Sequence, residues 1–213
     1  MKILMVVIAL LALSDGAIAA SGGVTATVRD PSGVGLPQSA GSNVDCYSQP
    51  TLTLTRVSTG YIFADSVVEE TTLYGGYTIT GYATDWVPKT QTNVVVNRGS
   101  TTVVTFLLAR PVLDLTLSPT SVSQNGGTST ATLTLRDANG DPVSLRNALT
   151  ITATSADTTK ATVTQPATIA AGATSTTFTV TGVNHGASQA SVVTISVTAG
   201  TWGADDIGVT VTP

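Results

Sequence analysis

Apolar and polar residues alternate along most of the chain, in short runs that are separated by turn residues. The clearest run is 77–106, where apolar residues alternate with threonine and the breaks fall at glycine, proline and an Asn-Arg-Gly step. A period of two residues indicates half-buried strands, and no helical period survives the breaks. The pattern therefore predicts an all-β protein.

Turn signals recur at short intervals from this run to the last residues, which is typical of β-sandwiches. A chain of 213 residues is long enough for two of them. The predicted fold is two tandem antiparallel β-sandwiches of the immunoglobulin-like kind, at 21–110 and 111–213, after an N-terminal signal peptide at 1–20. Because Arg110-Pro111 leaves little slack between the domains, we expect a preferred angle between them.

The first twenty residues have the features of a secretory signal peptide. Met1-Lys2 precedes an apolar run that ends at Leu13, and small residues follow, so cleavage is expected after Ala19 or Ala20. The run is short for crossing about 30 Å of hydrocarbon, which makes a permanent anchor the minor alternative. We expect a secreted or cell-surface protein with no membrane span after processing.

The charge pattern narrows the choice of partners. Charged residues make up only 10% of the chain, the net charge is -4, and the basic residues are scattered. Since phosphate binding needs clustered positive charge, nucleic acid is not an expected partner. Threonine is abundant, and its β-branched side chain favours strands. Its hydroxyl group keeps a solvent-facing surface hydrated without adding charge.

The first domain carries turn residues in a familiar order. Asp30, Gly33 and Pro37 lie in the opening turn, and 76–79 reads Gly-Tyr-Thr-Ile before an outer hairpin. This order resembles the carboxypeptidase regulatory-like domain, a transthyretin-like β-sandwich of secreted proteins. The resemblance implies a fold without chemistry, since such domains serve as spacers, folding aids or adhesive modules.

The second domain contains Ser118-Pro119, a Gly126-Gly127 turn, the stretch 169–178 and a closing Val-Thr-Val-Thr. These phrases look like Calx-β and bacterial immunoglobulin-like adhesin repeats. The Calx-β resemblance implies calcium bound by clustered carboxylates. However, Gln124 stands where such repeats often carry Glu.

The best match to a calcium loop is the stretch that starts at Asp137. Asp137, Asn139 and Asp141 resemble the opening of an EF-hand loop, but Pro142 and Ala148 occupy positions that need Gly and Glu. An Asn-Gly hairpin turn explains the same residues. We therefore predict no metal and no cofactor, with Asp137, Asn139 and Asp141 as weak calcium candidates.

Three aromatic residues are the candidates for contact with a ligand or a protein: Tyr82, Trp86 and Trp202. Exposed tyrosine and tryptophan rings can stack on sugars or form a protein contact. The alternative for Trp86 is that it fills the core of the first sandwich.

Groups that could perform catalysis are sparse. Cys46 is the single cysteine, so it is either a small buried side chain or a link between two copies. His185 is the single histidine and lacks the partners that a zinc site or a catalytic triad needs. The pairs Glu69-Glu70 and Asp205-Asp206 sit on predicted strands, where neighbours point to opposite faces, so they indicate solubilising charges. We predict that the protein is not an enzyme.

The sequence thus favours a non-enzymatic structural or adhesive protein outside the cell, with other copies of the protein or cell-surface components as partners. A finer hypothesis is a filament subunit assembled by β-strand addition, because 51–55, 94–96 and 192–197 are uncharged strands that could form open edges. Residues 21–28 would be either the donated strand or the first strand of their own domain. The alternative function is carbohydrate binding, with glycans as partners.

Overall fold

The computed structural model describes residues 22–36, 41–49, 55–61, 66–70, 75–96, 101–164 and 167–213. These residues form strands and connecting turns and contain no helix, which confirms the all-β prediction. The predicted leader at 1–20 and residues 51–54 of the predicted uncharged strand 51–55 lie outside the described residues.

The first sandwich contains the first seven strands. They are β1 (Gly22–Arg29), β2 (Asn43–Gln49), β3 (Thr55–Tyr61), β4 (Ser66–Glu70), β5 (Gly75–Tyr82), β6 (Lys89–Val96) and β7 (Thr101–Leu107). One sheet has the order β4-β1-β7 and the other has the order β3-β2-β5-β6. Between them lies a core that includes Val28, Ile79 and Leu108, each with no accessible surface.

The second sandwich contains the remaining nine described strands. They are β8 (Val112–Ser118), β9 (Ser121–Ser123), β10 (Thr128–Arg136), β11 (Leu149–Ser155), β12 (Ala161–Val163), β13 (Ala167–Ile169), β14 (Ser175–Gly182), β15 (Ser191–Ala199) and β16 (Gly203–Thr212). The sheets have the orders β12-β14-β10-β8 and β13-β11-β15-β16-β9. Buried and exposed residues alternate along β8, β10 and β11, as the sequence pattern predicts.

Two strand pairs are parallel, which alternation alone does not predict. β1 runs parallel to β7 in the first sandwich, and β9 runs parallel to β16 in the second. In the second sandwich the chain leaves β8 at Ser118, passes Pro119 and Thr120, and enters the opposite sheet as β9. Proline has no N–H for a ladder, so a break at this point suits the change of sheet.

The structure also places the segments that were considered for strand addition. β1 lies between β4 and β7 in its own sheet, so it is the first strand of its own sandwich and is not free to be donated. The stretch 192–197 belongs to β15, which lies between β11 and β16. That stretch is an inner strand, so its assignment as an open edge was wrong. Residues 94–96 do lie in an outer strand, β6.

Candidate functional site: the junction between the sandwiches

The connection between β5 and β6 forms the face that the first sandwich turns towards the second. It contains a tight turn in which the Trp86 N–H donates to the Ala83 carbonyl at 3.2 Å, and Asp85 adopts a left-handed backbone with φ of 63°. Trp86 packs against the core of the first sandwich, whereas the next residue, Val87, packs against the core of the second. Adjacent residues therefore contact both cores.

A turn closed by an equivalent hydrogen bond projects from the second sandwich, between β15 and β16. The Trp202 N–H donates to the Ala199 carbonyl at 3.3 Å, and Gly200 supplies the left-handed residue with φ of 53°. The indole N–H of Trp202 reaches across to Asp85 Oδ2 at 3.4 Å. Each sandwich thus contributes one half-buried tryptophan from a hairpin turn.

Arg110 lies between these two tryptophans. Its guanidinium carbon is 5.0 Å from the centroid of the Trp86 ring and 5.3 Å from that of Trp202. A guanidinium at this distance from an indole face is attracted by the ring quadrupole, and Arg is well suited to the contact because its planar group stacks. The Ala109 carbonyl also accepts the Val87 N–H at 2.9 Å. The short linker is therefore held by side chains and by the backbone.

A second contact joins the sandwiches through Arg146, from the connection between β10 and β11. Its guanidinium carbon is 3.8 Å from the centroid of the Tyr82 ring, and its Nη1 forms an ion pair with Asp45 Oδ2. The Tyr82 hydroxyl also donates to the Asp45 carboxylate, at 3.4 Å. The Asp45 side chain is only 3% exposed. A carboxylate so far removed from water needs donors, and these two supply them.

The junction therefore gathers the three aromatic residues that the sequence singled out, Tyr82, Trp86 and Trp202. Each is half-buried and has a cation over its ring. Stacked cations and a buried ion pair hold surfaces together. Chemically, the arrangement can fix the position of one sandwich relative to the other.

The weak calcium candidates lie in the turn directly after β10, at the start of the same connection that carries Arg146. The Asp137 Oδ1 atom accepts the Asn139 N–H and the Asp141 N–H, both at 2.9 Å. Gly140 has φ of 88°, a conformation that glycine adopts without strain, and its carbonyl accepts Arg136 Nη1 at 2.9 Å. The Asp137 carboxylate is thus occupied in closing the turn.

The turn after β1 has the same hydrogen bonds. The Asp30 Oδ1 atom accepts the Ser32 and Val34 N–H groups, both at 2.9 Å, and the Ser32 hydroxyl at 2.6 Å. These bonds, led by that of the Ser32 hydroxyl, lower the pKa of Asp30. Gly33 has φ of 87°, and its carbonyl accepts Arg29 Nη1 at 2.8 Å.

The two turns show what the Asp137 loop needs in order to form. Val34 occupies the position of Asp141 and Ser32 that of Asn139, yet the backbone geometry is the same. A second carboxylate is therefore not required, and an Asp-closed turn accounts for the geometry of both loops. Among the residues that the structure describes, no group of three or more His, Cys, Asp or Glu residues could hold a metal ion.

Gln124, which replaces an expected carboxylate, ties two parts of the second sandwich together. It is 7% exposed, its side-chain Nε2 donates to the Ala187 carbonyl at 3.1 Å, and its backbone N–H donates to Thr212 at 2.8 Å. His185 lies in the same loop before β15 and is half-buried, with Nδ1 at 2.9 Å from the Val183 carbonyl. These contacts anchor a loop.

The remaining predicted residues have simple positions. Asp205 accepts the Leu115 N–H at 2.7 Å, while Asp206 is exposed. Cys46 lies in β2, but its side chain lies outside the described part of the structure. Within the described ranges, no helix is long and apolar enough to cross a membrane.

Sequence reasoning missed three of the junction residues, Asp45, Arg110 and Arg146. No local pattern links Asp45 to Arg146, because 101 positions separate them. Arg110 could have been noticed, since a lone cation beside a short linker is well placed to meet both domains. The aromatic content was the signal that did point to this region.

No protein-family model matches the chain, and no curated protein matches it by sequence. Solved structures with some similarity include a glycosyl hydrolase family 2 member from Bacteroides cellulosilyticus, at 13% identity and a TM-score of 0.41. That match covers 80% of this chain, which spans only 22% of the hydrolase chain.

Two further neighbours are an S-layer protein and a pilin subunit. Domains 4 and 5 of the S-layer protein SbsC match at 21% identity and a TM-score of 0.33, covering 86% of this chain and 77% of that one. The major pilin subunit of Bacillus cereus matches at 10% identity and a TM-score of 0.34, covering 91% and 69%. At these TM-scores the similarities carry no inference about function.

Proposed function

We propose that this chain is a non-enzymatic structural or adhesive protein of the cell exterior, in which two sandwiches act as one fixed unit. Its partners are other copies of the protein or components of the cell surface. The proposal treats 21–110 and 111–213 as the two domains and 1–20 as a cleaved leader.

The observation that carries this proposal is the junction. Arg110 contacts Trp86 and Trp202 within 5.3 Å, and Arg146 contacts Tyr82 and Asp45. Relative motions are the default for two domains joined by a linker, unless their interface is substantial. Both tryptophans of this protein and two of its few cations fix the orientation of one sandwich relative to the other. This arrangement suits a structural subunit or a spacer better than an enzyme.

The outer surface of the second sandwich suits the same role. Its outward positions on β10 and β11 are mostly threonine, as at Thr130, Thr132, Thr150 and Thr152. Hydroxyl groups keep this surface hydrated without charge, and methyl groups remain available for close contact. Such a surface is compatible with dense packing of copies at low mutual repulsion.

Fractionation of the cells that produce the protein tests the location. The proposal predicts the mature chain, lacking residues 1–19 or 1–20, in the medium or on the surface, and rods or filaments in electron micrographs of the native material. Recovery of the full-length chain from the cytoplasm would contradict it.

A second candidate function is carbohydrate binding at the junction. Its support is that Trp86 and Trp202 are only half-buried. A glycan array with the wild type and with Trp86→Ala tests it. Binding that Trp86→Ala abolishes, while the variant keeps the wild-type circular dichroism and melting temperature, would favour this function over the first.

A further inference from the structure

An outer strand of a sheet exposes unpaired N–H and C=O groups, and soluble proteins usually protect such edges. The described sheets have eight outer strands: β3, β4, β6, β7, β8, β9, β12 and β13. Seven carry a recognised protection, and β7 does not.

Short length and a blocking carboxylate protect the outer strands of the second sandwich. Strands β9, β12 and β13 are each three residues long, which leaves little edge to pair with. Strand β8 is longer, but the Asp205 Oδ2 atom accepts the Leu115 N–H at 2.7 Å. A negatively charged group therefore occupies the open side of β8.

Charge and irregularity protect three outer strands of the first sandwich. Strand β6 begins at Lys89 and contains a bulge at Asn93, which has φ of 57°. Strand β3 includes Arg56 and strand β4 ends in Glu69-Glu70. Bulges and charges both discourage the approach of another strand.

Strand β7 reads Thr-Thr-Val-Val-Thr-Phe-Leu and has neither a charge nor a proline. Its outward face is also apolar, because Val103 is 69% exposed and Leu107 is 45% exposed. An uncharged seven-residue edge with exposed valine and leucine is the kind of strand that pairs with another chain.

The backbone groups of β7 point in directions that permit this pairing. The Leu108 N–H donates to the Arg29 carbonyl of β1, whereas the Ala109 carbonyl is directed to Val87 on the other side. Because successive residues of a strand point their backbone groups to opposite sides, Leu107, Thr105 and Val103 direct theirs away from β1. The central residue, Thr105, thus presents both its N–H and its C=O to an incoming strand.

We propose that β7 pairs antiparallel with β7 of a second copy of this chain, centred on Thr105. In that register Thr105 lies opposite itself, Val103 lies opposite Leu107 on the outer face, and Val104 lies opposite Phe106 on the inner face. Within 103–107 every facing pair is then apolar or threonine with threonine, combinations that stabilise antiparallel strands. The edge is therefore complementary to itself, as a twofold interface requires.

This pairing joins two three-stranded sheets into one of six strands and deepens the proposed structural role, on which it rests. In this register only residues 103–107 of the two β7 strands face one another, and so short a contact buries much less than the roughly 1,200–2,000 Å² of stable interfaces. We therefore expect a dimer that dissociates on dilution. Firmer assembly would need further contacts between copies.

Sedimentation velocity of the mature full chain over a wide concentration range tests the dimer. Val103→Lys should weaken dimerisation at least tenfold, because it places a cation at the pairing edge. Val192→Lys is the matched control: Val192 is 70% exposed but lies on the inner strand β15, so the dimer should persist. The proposal would be overturned if the wild type stayed monomeric over the whole concentration range. It would also be overturned if Val103→Lys and Val192→Lys, both folded, weakened dimerisation equally.

Cysteine cross-linking tests the register in a Cys46→Ser background. Thr105→Cys should form a disulfide-linked homodimer, since facing residues in a hydrogen-bonded pair are about 5.5 Å apart. Val103→Cys should not link to itself but should link to Leu107→Cys when the two are mixed. Efficient self-linking of Val103→Cys would exclude this register. Absence of the dimer would leave the junction, and with it the proposed function, intact.

Discussion

Arg146 forms an ion pair with Asp45 across 101 positions of sequence, and the two residues differ sharply in exposure. The Asp45 side chain is 3% exposed, whereas that of Arg146 is 43% exposed. The carboxylate is thus embedded in the first sandwich, and a cation of the second sandwich covers it. This relationship makes the stability of the first sandwich depend on the presence of the second.

Arg146→Ala should lower the free energy of unfolding by about 1–3 kcal/mol, because it deprives a buried carboxylate of a charged donor. Arg136→Ala is the control, since its partner Asp114 and Arg136 itself are each about a third exposed. Pairs of that kind contribute about 0–1 kcal/mol. Urea unfolding measures the free energy of unfolding of both variants. Equal decreases would show that the Arg146 contact contributes no more than a surface ion pair.

Asp205→Ala should destabilise the second sandwich by about 1–3 kcal/mol, because it leaves the Leu115 N–H without its acceptor. It should also promote aggregation, since the edge of β8 becomes open. Asp206→Ala removes the same charge from an exposed position and should change little. Thermal unfolding with light scattering compares them. Indistinguishable variants would contradict the blocking role of Asp205.

Much of the fold could be predicted from the sequence because the alternation of apolar and polar residues within each strand shows which of its faces is buried. Along β10, for example, Ala131, Leu133 and Leu135 are buried and the threonines between them face outward. The pairing of β1 with β7 and of β9 with β16 could not be predicted, because alternation says which face is buried and nothing about which strand lies alongside. This is also why β15 was mistaken for an edge.

Calcium should leave the melting temperature of the protein unchanged, since Asp137 already accepts two backbone N–H groups. Asp137→Ala should lower the melting temperature in the absence of calcium, because the turn loses its closing bonds. Asp30→Ala, in the equivalent turn of the first sandwich, is the matched variant. A large stabilisation by millimolar calcium that only Asp137→Ala abolishes would show a real site.

Asp157 should make stability depend on pH in the acid range. The Thr159 hydroxyl at 2.5 Å and then the Lys160 ammonium at 3.0 Å lower the pKa of Asp157 from 3.8 to about 2. Since the folded-state pKa lies below the unfolded one, the stabilisation is complete well above pH 3.8, begins to decrease as the pH approaches 3.8 and is lost as the pH falls towards 2.

The comparison of wild type with Asp157→Asn by chemical unfolding tests this dependence. The difference in unfolding free energy should be constant from pH 7 to about pH 5 and should shrink between about pH 4 and pH 2. A difference that does not change over this range would contradict the assignment.

The candidate site was predictable only in part. Tyr82, Trp86 and Trp202 stood out because exposed tyrosine and tryptophan rings can stack on sugars or form a protein contact, and the structure brings all three to the junction. Their cationic partners did not stand out, because Arg110 and Arg146 are single charges with no local motif. Contacts between domains depend on the shapes of both folded surfaces and join residues that are distant in sequence. A local sequence pattern therefore cannot predict them.

The most direct test of a fixed unit is the distribution of distances between spin labels on the two sandwiches. Val34→Cys and Thr152→Cys provide exposed sites in a Cys46→Ser background. We predict one narrow distance distribution for the full chain, a broad one after Arg110→Ala and Arg146→Ala together, and a narrow one in the Arg136→Ala control. A broad distribution in the otherwise unaltered chain, or no broadening in the double variant, would contradict the account.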